Sequence, residues 1–139
     1  MAEEILQLKL LTPARKLLEL FVDEVVACGE DGYFGVLPGH APLVRTLGEG
    51  MLTCRVGQKV EAAVVVGGLL HVRGNEVLVL AEAAELAQDI DESRALAAKK
   101  RAEERLARGT DEVDFARAQR ALNRSLTRLQ ARAGGSDPS

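Results

Sequence analysis

The chain has 139 residues, 47% of them hydrophobic and 28% charged, with a formal net charge of −3. That length suffices for one ordinary domain, or for one small domain and an appendage. No stretch approaches the ~18 uninterrupted apolar residues of a membrane-spanning helix, and the acidic opening Met1-Ala2-Glu3-Glu4 lacks the apolar run of a secretory signal. We therefore expect a globular protein of the cytosol, or one that docks to a membrane complex from the cytosolic side.

The first half of the sequence has the two-residue period of β-strands. Leu6, Leu8 and Leu10 alternate with polar neighbours, as expected of a strand with one buried face. A further β-rich run covers Phe21–Cys28, and others follow at short intervals. Glycine-containing dipeptides separate or interrupt the later runs: Gly57-Gln58, Gly67-Gly68 and Gly74-Asn75. This spacing favours an all-β sandwich or barrel over alternating strands and helices.

After the last of these strands the pattern becomes helical. Glycine is absent from Asn75 to Arg108, and Asp91 has the side chain of a helix N-cap. Gly109 is a stop signal, and a second helix can be capped by Thr110 or Asp111. Two apolar stripes are predicted to form the seam of an antiparallel αα-hairpin: Ala95, Ala98, Ala102 and Leu106, and Phe115, Ala118, Leu122, Leu126 and Leu129. A seam so rich in alanine buries few CH₂ groups, at ~0.8 kcal/mol each, so we expect it to open readily.

Charge is divided unevenly along the chain. Residues 1–88 carry 7 basic and 12 acidic side chains, whereas residues 89–139 carry 11 basic and 9 acidic ones. Four arginines recur at helical spacing on one face of the second helix: Arg117, Arg120, Arg124 and Arg128. They form either a solvated face or a recognition face for an anion, because a guanidinium can bind carboxylates and phosphates with two hydrogen bonds. The acidic total charge disfavours nucleic acid as the partner.

A segment rich in proline and glycine, Gly32–Leu43, separates two of the predicted strands. It holds apolar side chains, among them Tyr33 and Phe34, on a backbone restricted by Pro38 and Pro42. One interpretation is a rigid connection that packs these side chains into the core, and the other is an apolar docking edge for another protein. Composition alone favours the rigid connection.

No pattern of catalytic residues is visible. The two histidines, His40 and His71, and the two cysteines, Cys28 and Cys54, lack the close pairs of a zinc site, so we expect no metal and two reduced, buried thiols. Neither a P-loop nor a strand-linked dinucleotide motif is present. The sequence therefore indicates a protein that is not an enzyme.

Three segments, in this order, resemble the epsilon subunit of F-type ATP synthases, which is called delta in mitochondria. They are Gly32-x-x-Gly35-Val36-Leu37-Pro38-Gly39-His40-Ala41-Pro42-Leu43 with the Gly48-Glu49-Gly50 turn, Val79-Leu80-Ala81-Glu82, and Ile90-Asp91-x-x-Arg94-Ala95. The likeness covers nearly all of residues 4–130. It implies an α+β fold: an N-terminal ten-stranded β-sandwich in residues 1–86 and a regulatory antiparallel αα-hairpin in residues 87–133. The composition of residues 134–139, rich in glycine and serine, separately predicts a disordered tail.

The resemblance also implies a place in the central stalk, or rotor, of a proton-translocating complex on the cytoplasmic face of the bacterial inner (plasma) membrane. The β-sandwich would bind the gamma subunit and rest on the ring of c subunits, with contacts from Gly32, Tyr33, Phe34 and His40. The chain would be a non-catalytic subunit that couples rotation to ATP synthesis and inhibits ATP hydrolysis.

Some bacterial members of that family bind ATP on the hairpin, which implies ATP as a regulatory ligand here, with no cofactor required. The matching positions are Glu85, Ile90, Asp91, Arg94, Ala95, Arg101, Arg124 and Arg128. Helix capping is an equally good explanation of Asp91. A folded hairpin would leave the rotor free, whereas an extended one would carry an inhibitory arginine face to the acidic surface of the beta (and alpha) subunits: Arg117, Arg120, Arg124 and Arg128.

Two other classes of function remain open at this stage. The chain could be a free-standing ATP-binding sensor, which would bind nucleotide but no gamma subunit. It could also be a nucleic-acid adaptor, whose binding would weaken steeply with salt. Neither alternative explains the segment rich in proline and glycine.

Overall fold

The computed structural model describes residues 5–109 and 112–134, and in the last helix it describes the side chains of residues 114–133. Seven strands precede one 3₁₀ turn (Ala87–Asp89) and two helices. The strands are β1 (Leu6–Leu11), β2 (Lys16–Val22), β3 (Glu24–Gly29), β4 (Gly32–Val36), β5 (Leu43–Val56), β6 (Lys59–Arg73) and β7 (Glu76–Leu86). The helices are α1 (Glu92–Ala107) and α2 (Glu112–Gly134). Strands followed by helices agree with the predicted α+β class.

The strands form one sheet in the order β2-β1-β7-β6-β5-β3-β4. β1 runs parallel to β7, and the other neighbouring strands are antiparallel. The three strands in the middle are long, with 14 residues in β5, 15 in β6 and 11 in β7. This topology places the turn after β1 beside the second half of β7.

The main core is a cluster of buried aliphatic side chains contributed by strands of the sheet. Leu6, Leu8 and Leu10 are fully buried in it, at 0% exposure each, which confirms the alternation predicted for β1. Val22 and Val79 belong to the same cluster. Each buried side chain of this size contributes roughly 1.5–3 kcal/mol, so this cluster is the principal source of the sandwich's stability.

The long strands bend near their middles, so that the sheet folds over on itself. On β6, Ala63 and Val65 lie in the main core before Gly67-Gly68, and Leu70 and Val72 lie in it afterwards. Successive side chains of a straight strand point to opposite faces, so odd- and even-numbered residues can share one core only if the strand bends between them. The pairing with β5 and β7 continues on both sides of this point. The result is a two-layer β-sandwich.

The expectation of ten strands is wrong for the residues that the structure describes, which form seven. β5, β6 and β7 each run through both layers as one continuous strand, whereas a count of ten divides each of them at the bend. A second correction concerns Phe21–Cys28, which is two strands rather than one run. Asp23 separates them, and its carboxylate accepts a hydrogen bond from the Gly57 N–H at 2.7 Å.

The first helix of the hairpin follows the prediction closely. Asp91 caps α1, since its Oδ1 accepts a hydrogen bond from the Arg94 N–H at 3.1 Å. Gly109, with φ of +66°, follows the end of α1. The predicted stripe faces the seam: Ala95 and Ala102 are buried, and Ala98 and Leu106 are half-buried.

The stripe predicted on α2 is wrong at two positions. Phe115 and Leu126 are 48% and 43% exposed, whereas Ala118 and Ser125 are buried. The Ser125 hydroxyl donates to the Ala121 carbonyl at 3.0 Å, so its polar group is satisfied within the helix. Gly134 is the last residue of α2 rather than part of a tail. Three predicted features lie outside the described residues: the caps Thr110 and Asp111, and positions 135–139 of the tail.

A second, smaller cluster joins α2 to the outer face of the sheet. Ala131 packs there with Met51, Ala62, Val64 and Ile90. Met51 comes from β5, Ala62 and Val64 come from β6, and Ile90 precedes α1. Because this part of β6 is covered on both faces, its residues read as a continuous apolar run instead of alternating. The helix that lies on the sandwich is therefore α2, at its C-terminal end.

Candidate functional site

Two arginine–carboxylate pairs tie α2 to the β-sandwich. Arg128 donates from Nε to one carboxylate oxygen of Glu85 at 2.9 Å and from Nη2 to the other at 3.1 Å, a bidentate geometry. One turn earlier along the helix, Nε of Arg124 donates to Oε1 of Glu49 at 3.0 Å. Glu49 belongs to β5 and Glu85 to β7. We call these four side chains the latch, because they connect the helix to two strands of the sheet.

A cleft of about 380 Å³ lies beside the latch. Its volume falls in the range of ~300–1,000 Å³ that is usual for small-molecule sites. Small apolar residues and charged residues line it together: Val64, Val66, Ala83 and Ala84, with Arg15, Glu85, Asp89, Arg124 and Arg128. An apolar surface beside three guanidinium groups suits an anionic ligand that also has an apolar part.

The cleft gathers part of the predicted ATP-binding set. Glu85, Arg124 and Arg128 all line it, although Glu85 is separated from both arginines by about forty residues in the sequence. Each of these arginines is already bound to a carboxylate of the latch. A ligand that carries phosphates would therefore have to share or displace those carboxylates.

The other five predicted ATP-binding residues do not line this cleft. Ile90 is 3% exposed and packs in the second cluster, and Ala95 is fully buried. The Asp91 carboxylate is the cap of α1, so capping accounts for its position. Arg94 and Arg101 are exposed side chains of α1. Burial therefore leaves Ile90 and Ala95 as structural residues in this conformation, whereas Asp91, Arg94 and Arg101 are exposed to solvent.

Three charged residues of the site were missed by the sequence reasoning. Glu49 stands out in the sequence only as part of the Gly48-Glu49-Gly50 turn, and no motif contains Arg15 or Asp89. Arg15 reaches the cleft because β1 pairs in parallel with β7, and Leu11 at the end of β1 lies opposite Leu80. No local pattern signals a pairing between strands so far apart in the chain.

The four arginines predicted to form an inhibitory face are divided between two environments. Arg124 and Arg128 are in the latch, where the carboxylates of the sandwich neutralise them. Arg117 and Arg120 lie on the same face, nearer the N-terminus of α2, and are exposed. The helix thus has one half of its arginine face bound to the sandwich and the other half facing solvent.

Three of the predicted rotor-contact residues lie in a strand rather than in a loop. Gly32, Tyr33 and Phe34 belong to β4, which is an edge of the sheet. Tyr33 is 39% exposed, and its hydroxyl accepts a hydrogen bond from the Met51 N–H at 3.1 Å. Phe34 packs against the main core, with the guanidinium of Arg45 4.0 Å from its ring centre. An edge strand with a half-exposed tyrosine can still present a docking surface.

His40 lies beyond β4, in the connection to β5. Its N–H donates to the Leu37 carbonyl at 3.1 Å, and its ring Nδ1 lies 2.7 Å from the Ala41 carbonyl oxygen. The neighbouring Gly39 N–H donates to the side chain of Asn75 at 2.9 Å. These hydrogen bonds make the connection well ordered, as the rigid interpretation requires. Leu37 is nevertheless 53% exposed, so the segment keeps an apolar side chain at the surface.

Both cysteines are free thiols. Burial raises the pKa of the Cys54 thiol to about 11, and burial also raises the pKa of Cys28, which is only half-buried. A raised thiol pKa lowers the thiolate fraction at neutral pH and hence the reactivity. Among the described side chains of residues 5–109 and 114–133, no group of three or more histidine, cysteine or acidic residues could hold a metal ion.

Comparison with known proteins agrees with this architecture. The family described as ATP synthase, Delta/Epsilon chain, beta-sandwich domain matches residues 5–87, and the one described as ATP synthase, Delta/Epsilon chain, long alpha-helix domain matches residues 88–132. The chain belongs to the ATP synthase delta/epsilon family. The resemblance found in the sequence is thereby confirmed.

Individual members of the family match along nearly their whole length. The ATP synthase epsilon chain of Syntrophobacter fumaroxidans is 47% identical over 130 residues, which are 94% of this chain and 96% of that protein. The ATP synthase epsilon chain of Moorella thermoacetica is 42% identical over 127 residues, 91% of this chain and 95% of that one. Such coverage includes the sandwich and the hairpin together.

Two solved structures of ATP synthases contain chains with a similar fold. A chain of the Euglena gracilis mitochondrial ATP synthase (OSCP/F1/c-ring) superposes with a TM-score of 0.76 at 24% identity, covering 90% of this chain and 79% of that one. A chain of the Tetrahymena thermophila mitochondrial ATP synthase (central stalk/c-ring) superposes with a TM-score of 0.58 at 14% identity, covering 91% of this chain and 96% of that one. No helix in the described part of this chain is both long and apolar enough to cross a membrane.

The latch allows a test of how the hairpin is held. Replacing Glu49 and Glu85 together by glutamine removes both ion pairs, each worth about 1 kcal/mol at most because the side chains are partly exposed. We expect amide hydrogen exchange in residues 114–133 to accelerate by roughly fivefold to thirtyfold, with the strands unchanged. Hydrogen-exchange mass spectrometry measures this.

A charge swap is the matched control for that test. Exchanging the partners, with Glu85→Arg and Arg128→Glu in one variant, restores an ion pair of reversed polarity. The amide exchange rates of this double variant should be closer to those of the unmodified chain than the rates of the Arg128→Glu single variant are. Equal acceleration in both would show that these charges do not hold the helix.

Proposed function

We propose that this chain is the epsilon subunit of a bacterial F-type ATP synthase, a non-catalytic part of the central stalk whose hairpin restrains ATP hydrolysis. Membership of the delta/epsilon family supports the stalk position. The regulatory part rests on one observation: the sandwich neutralises two arginines, Arg124 and Arg128, that are available to another acidic surface when α2 leaves. Its partners are the gamma subunit, the c-ring, and the beta and alpha subunits.

The mechanism is a competition between two acidic surfaces for one helix. In the docked state, Glu49 and Glu85 bind Arg124 and Arg128. Only Arg117 and Arg120 are then available to the catalytic subunits. In the extended state all four arginines face outward, and their binding to acidic side chains of the beta and alpha subunits blocks rotation in the direction of hydrolysis. The small, alanine-rich contacts of the hairpin keep the two states close in free energy.

ATP shifts this balance toward the docked state. The cleft beside the latch exists only while α2 lies on the sheet, because Arg124 and Arg128 form part of its lining. A ligand bound there stabilises the docked conformation through its unequal affinity for the two states. High ATP then keeps the arginine face away from the catalytic subunits.

The β-sandwich supplies the permanent attachment to the rotor. Its edge strand β4, with Gly32, Tyr33 and Phe34, and the ordered connection at His40 present apolar and backbone groups to the gamma subunit and the c-ring. The chain is thus held at the cytoplasmic face of the inner membrane as a peripheral subunit of a proton-translocating complex. It couples rotation to synthesis without a catalytic group of its own.

Reconstitution with the alpha, beta and gamma subunits tests the regulatory role. The variant Arg117→Gln/Arg120→Gln removes the two exposed arginines but leaves the latch intact. We expect it to relieve ATPase inhibition by about two- to fivefold while the exchange rates of α2 in the isolated chain stay unchanged. Binding to the gamma subunit is the control, since it depends on the sandwich.

The outcomes separate the possible functions. ATPase inhibition that is identical in the variant and the unmodified chain would contradict the electrostatic part of the mechanism. A chain that binds ATP but does not associate with gamma would be a free-standing sensor, and the stalk proposal would be wrong.

A further inference from the structure

Arg15 is placed at the cleft by an ordered turn. The turn between β1 and β2 is closed by the Thr12 N–H, which donates to the Arg15 carbonyl at 2.9 Å, and by the Arg15 N–H, which donates to the Thr12 hydroxyl at 3.2 Å. The turn lies against Ala83 and Ala84 of β7, and Arg15 lines the same cleft as the latch. Its backbone position is therefore fixed, while its side chain is exposed.

Arg15 differs from the other two arginines of the cleft in its partners. Arg124 and Arg128 are bound to Glu49 and Glu85. Arg15 has no carboxylate within ion-pair distance among the described side chains of residues 5–109 and 114–133. A phosphate that enters the cleft must compete with a carboxylate for each latch arginine, but it meets no such competition at Arg15.

We propose that Arg15 is a further phosphate-binding residue of this cleft. Arg15 binds the polyphosphate of a nucleoside triphosphate before Arg124 and Arg128 release Glu49 and Glu85 to bind it, or at the same time. This inference rests on the proposed ATP response. The ligand class follows from the lining: the guanidinium of Arg15 suits phosphate oxygens, and the apolar surface of Val64, Val66, Ala83 and Ala84 suits the flat face of the base. Arg15 also ties the ligand to the sandwich, so bound nucleotide bridges β7, the β1–β2 turn and α2.

The test is a calorimetric titration of the full chain with ATP, inorganic triphosphate and adenosine. Arg15→Gln should weaken ATP and triphosphate by about fivefold, the upper range for one exposed ion pair, and leave adenosine unchanged. Arg73→Gln is the matched control, because Arg73 is an exposed arginine at the β6–β7 turn, far along the strand from Ala83. Arg15→Lys, which keeps the charge but not the planar fork, should be intermediate.

The possible results distinguish this inference from the proposed function. ATP affinity that is equal in Arg15→Gln and the unmodified chain would overturn the role of Arg15 and leave the ATP response standing. A loss in Arg73→Gln as large as that in Arg15→Gln would also overturn it, since total charge would then be the cause. No ATP binding by the unmodified chain would overturn both.

Discussion

Replacing Gly68 by alanine is expected to lower the free energy of unfolding by at least ~3 kcal/mol. Gly68 has φ of +117°, which side-chain-bearing residues rarely adopt. A Cβ atom there would lie 2.0 Å from the Leu80 carbonyl oxygen and 2.8 Å from the Ala81 Cα. Both are backbone atoms of β7, so they cannot move away without breaking the β6–β7 ladder. The loss of unfolded-state entropy that alanine brings, ~0.4–1 kcal/mol, is too small to compensate.

Alanine substitutions at two other glycines are expected to destabilise the protein less than the substitution at Gly68. Gly57→Ala also places a side chain at positive φ, +62°, but no atom lies within 4 Å of the new Cβ, so we expect a loss of only about 1–2 kcal/mol. Gly67→Ala should fall between the two, because its Cβ would meet the flexible Glu82 carboxylate at 2.8 Å. Urea unfolding followed by circular dichroism measures all three in parallel. Equal midpoints for the Gly68 and Gly57 variants would show that the bend does not require glycine.

The bend also marks the limit of what the sequence could predict about the sandwich. Alternation identified β1 and the glycine dipeptides identified interruptions, because both depend on neighbouring residues. Gly67-Gly68 and Gly57-Gln58 look alike in the sequence, yet only Gly57-Gln58 connects two strands. The difference lies in whether hydrogen bonding to β5 and β7 continues past the glycines, which is a long-range property. The count of ten, which came from the family resemblance, divides three long strands at such interruptions, whereas β5, β6 and β7 are continuous here.

The buried positions of the hairpin were predicted correctly in α1, which packs against a single neighbouring element. α1 packs chiefly on α2, so its alanine stripe could be read from spacing alone. α2 contacts both α1 and the sheet, so its buried residues do not form a single stripe. Ala118 and Ser125 are buried, and Ala131 is buried against the sheet. A single-stripe interpretation therefore placed Leu126 in the seam, whereas it is exposed.

The candidate site could be predicted only in part. Spacing and resemblance together indicated Glu85, Arg124 and Arg128 because their residue types and intervals are visible in the sequence. The partner of Arg124 lies 75 positions away, at Glu49. Only the fold brings such residues together, and for Arg15 the cause is the parallel pairing of β1 with β7.

Replacing Ala131 by aspartate is expected to detach the hairpin from the sandwich while the sandwich stays folded. Ala131 is 1% exposed and packs in the second cluster with Met51, Val64 and Ile90. A carboxylate there loses its hydration, at a cost of several kcal/mol, and it lies in the last turn of α2, where negative charge opposes the helix dipole. The latch adds only about 1 kcal/mol per exposed pair, which is too little to keep the helix docked.

Ala133→Asp is the matched control, because Ala133 is exposed in the same turn and the substitution adds the same charge. Hydrogen exchange in residues 114–133 should approach that of an isolated hairpin in the Ala131 variant only, with the amides of β1 and β7 protected in both. Equal protection of α2 in the two variants would show that the second cluster does not hold the hairpin.

The same pair of variants separates docking from inhibition. Ala131→Asp leaves all four arginines of α2 unchanged and removes only the alternative place for the helix. In the reconstituted complex it should therefore inhibit ATP hydrolysis more strongly than Ala133→Asp, and added ATP should no longer relieve the inhibition, because the cleft is lost with the docked state. If the hairpin detaches but hydrolysis is unaffected, the sandwich does not compete with the catalytic subunits for the arginine face. The latch would then only stabilise the fold.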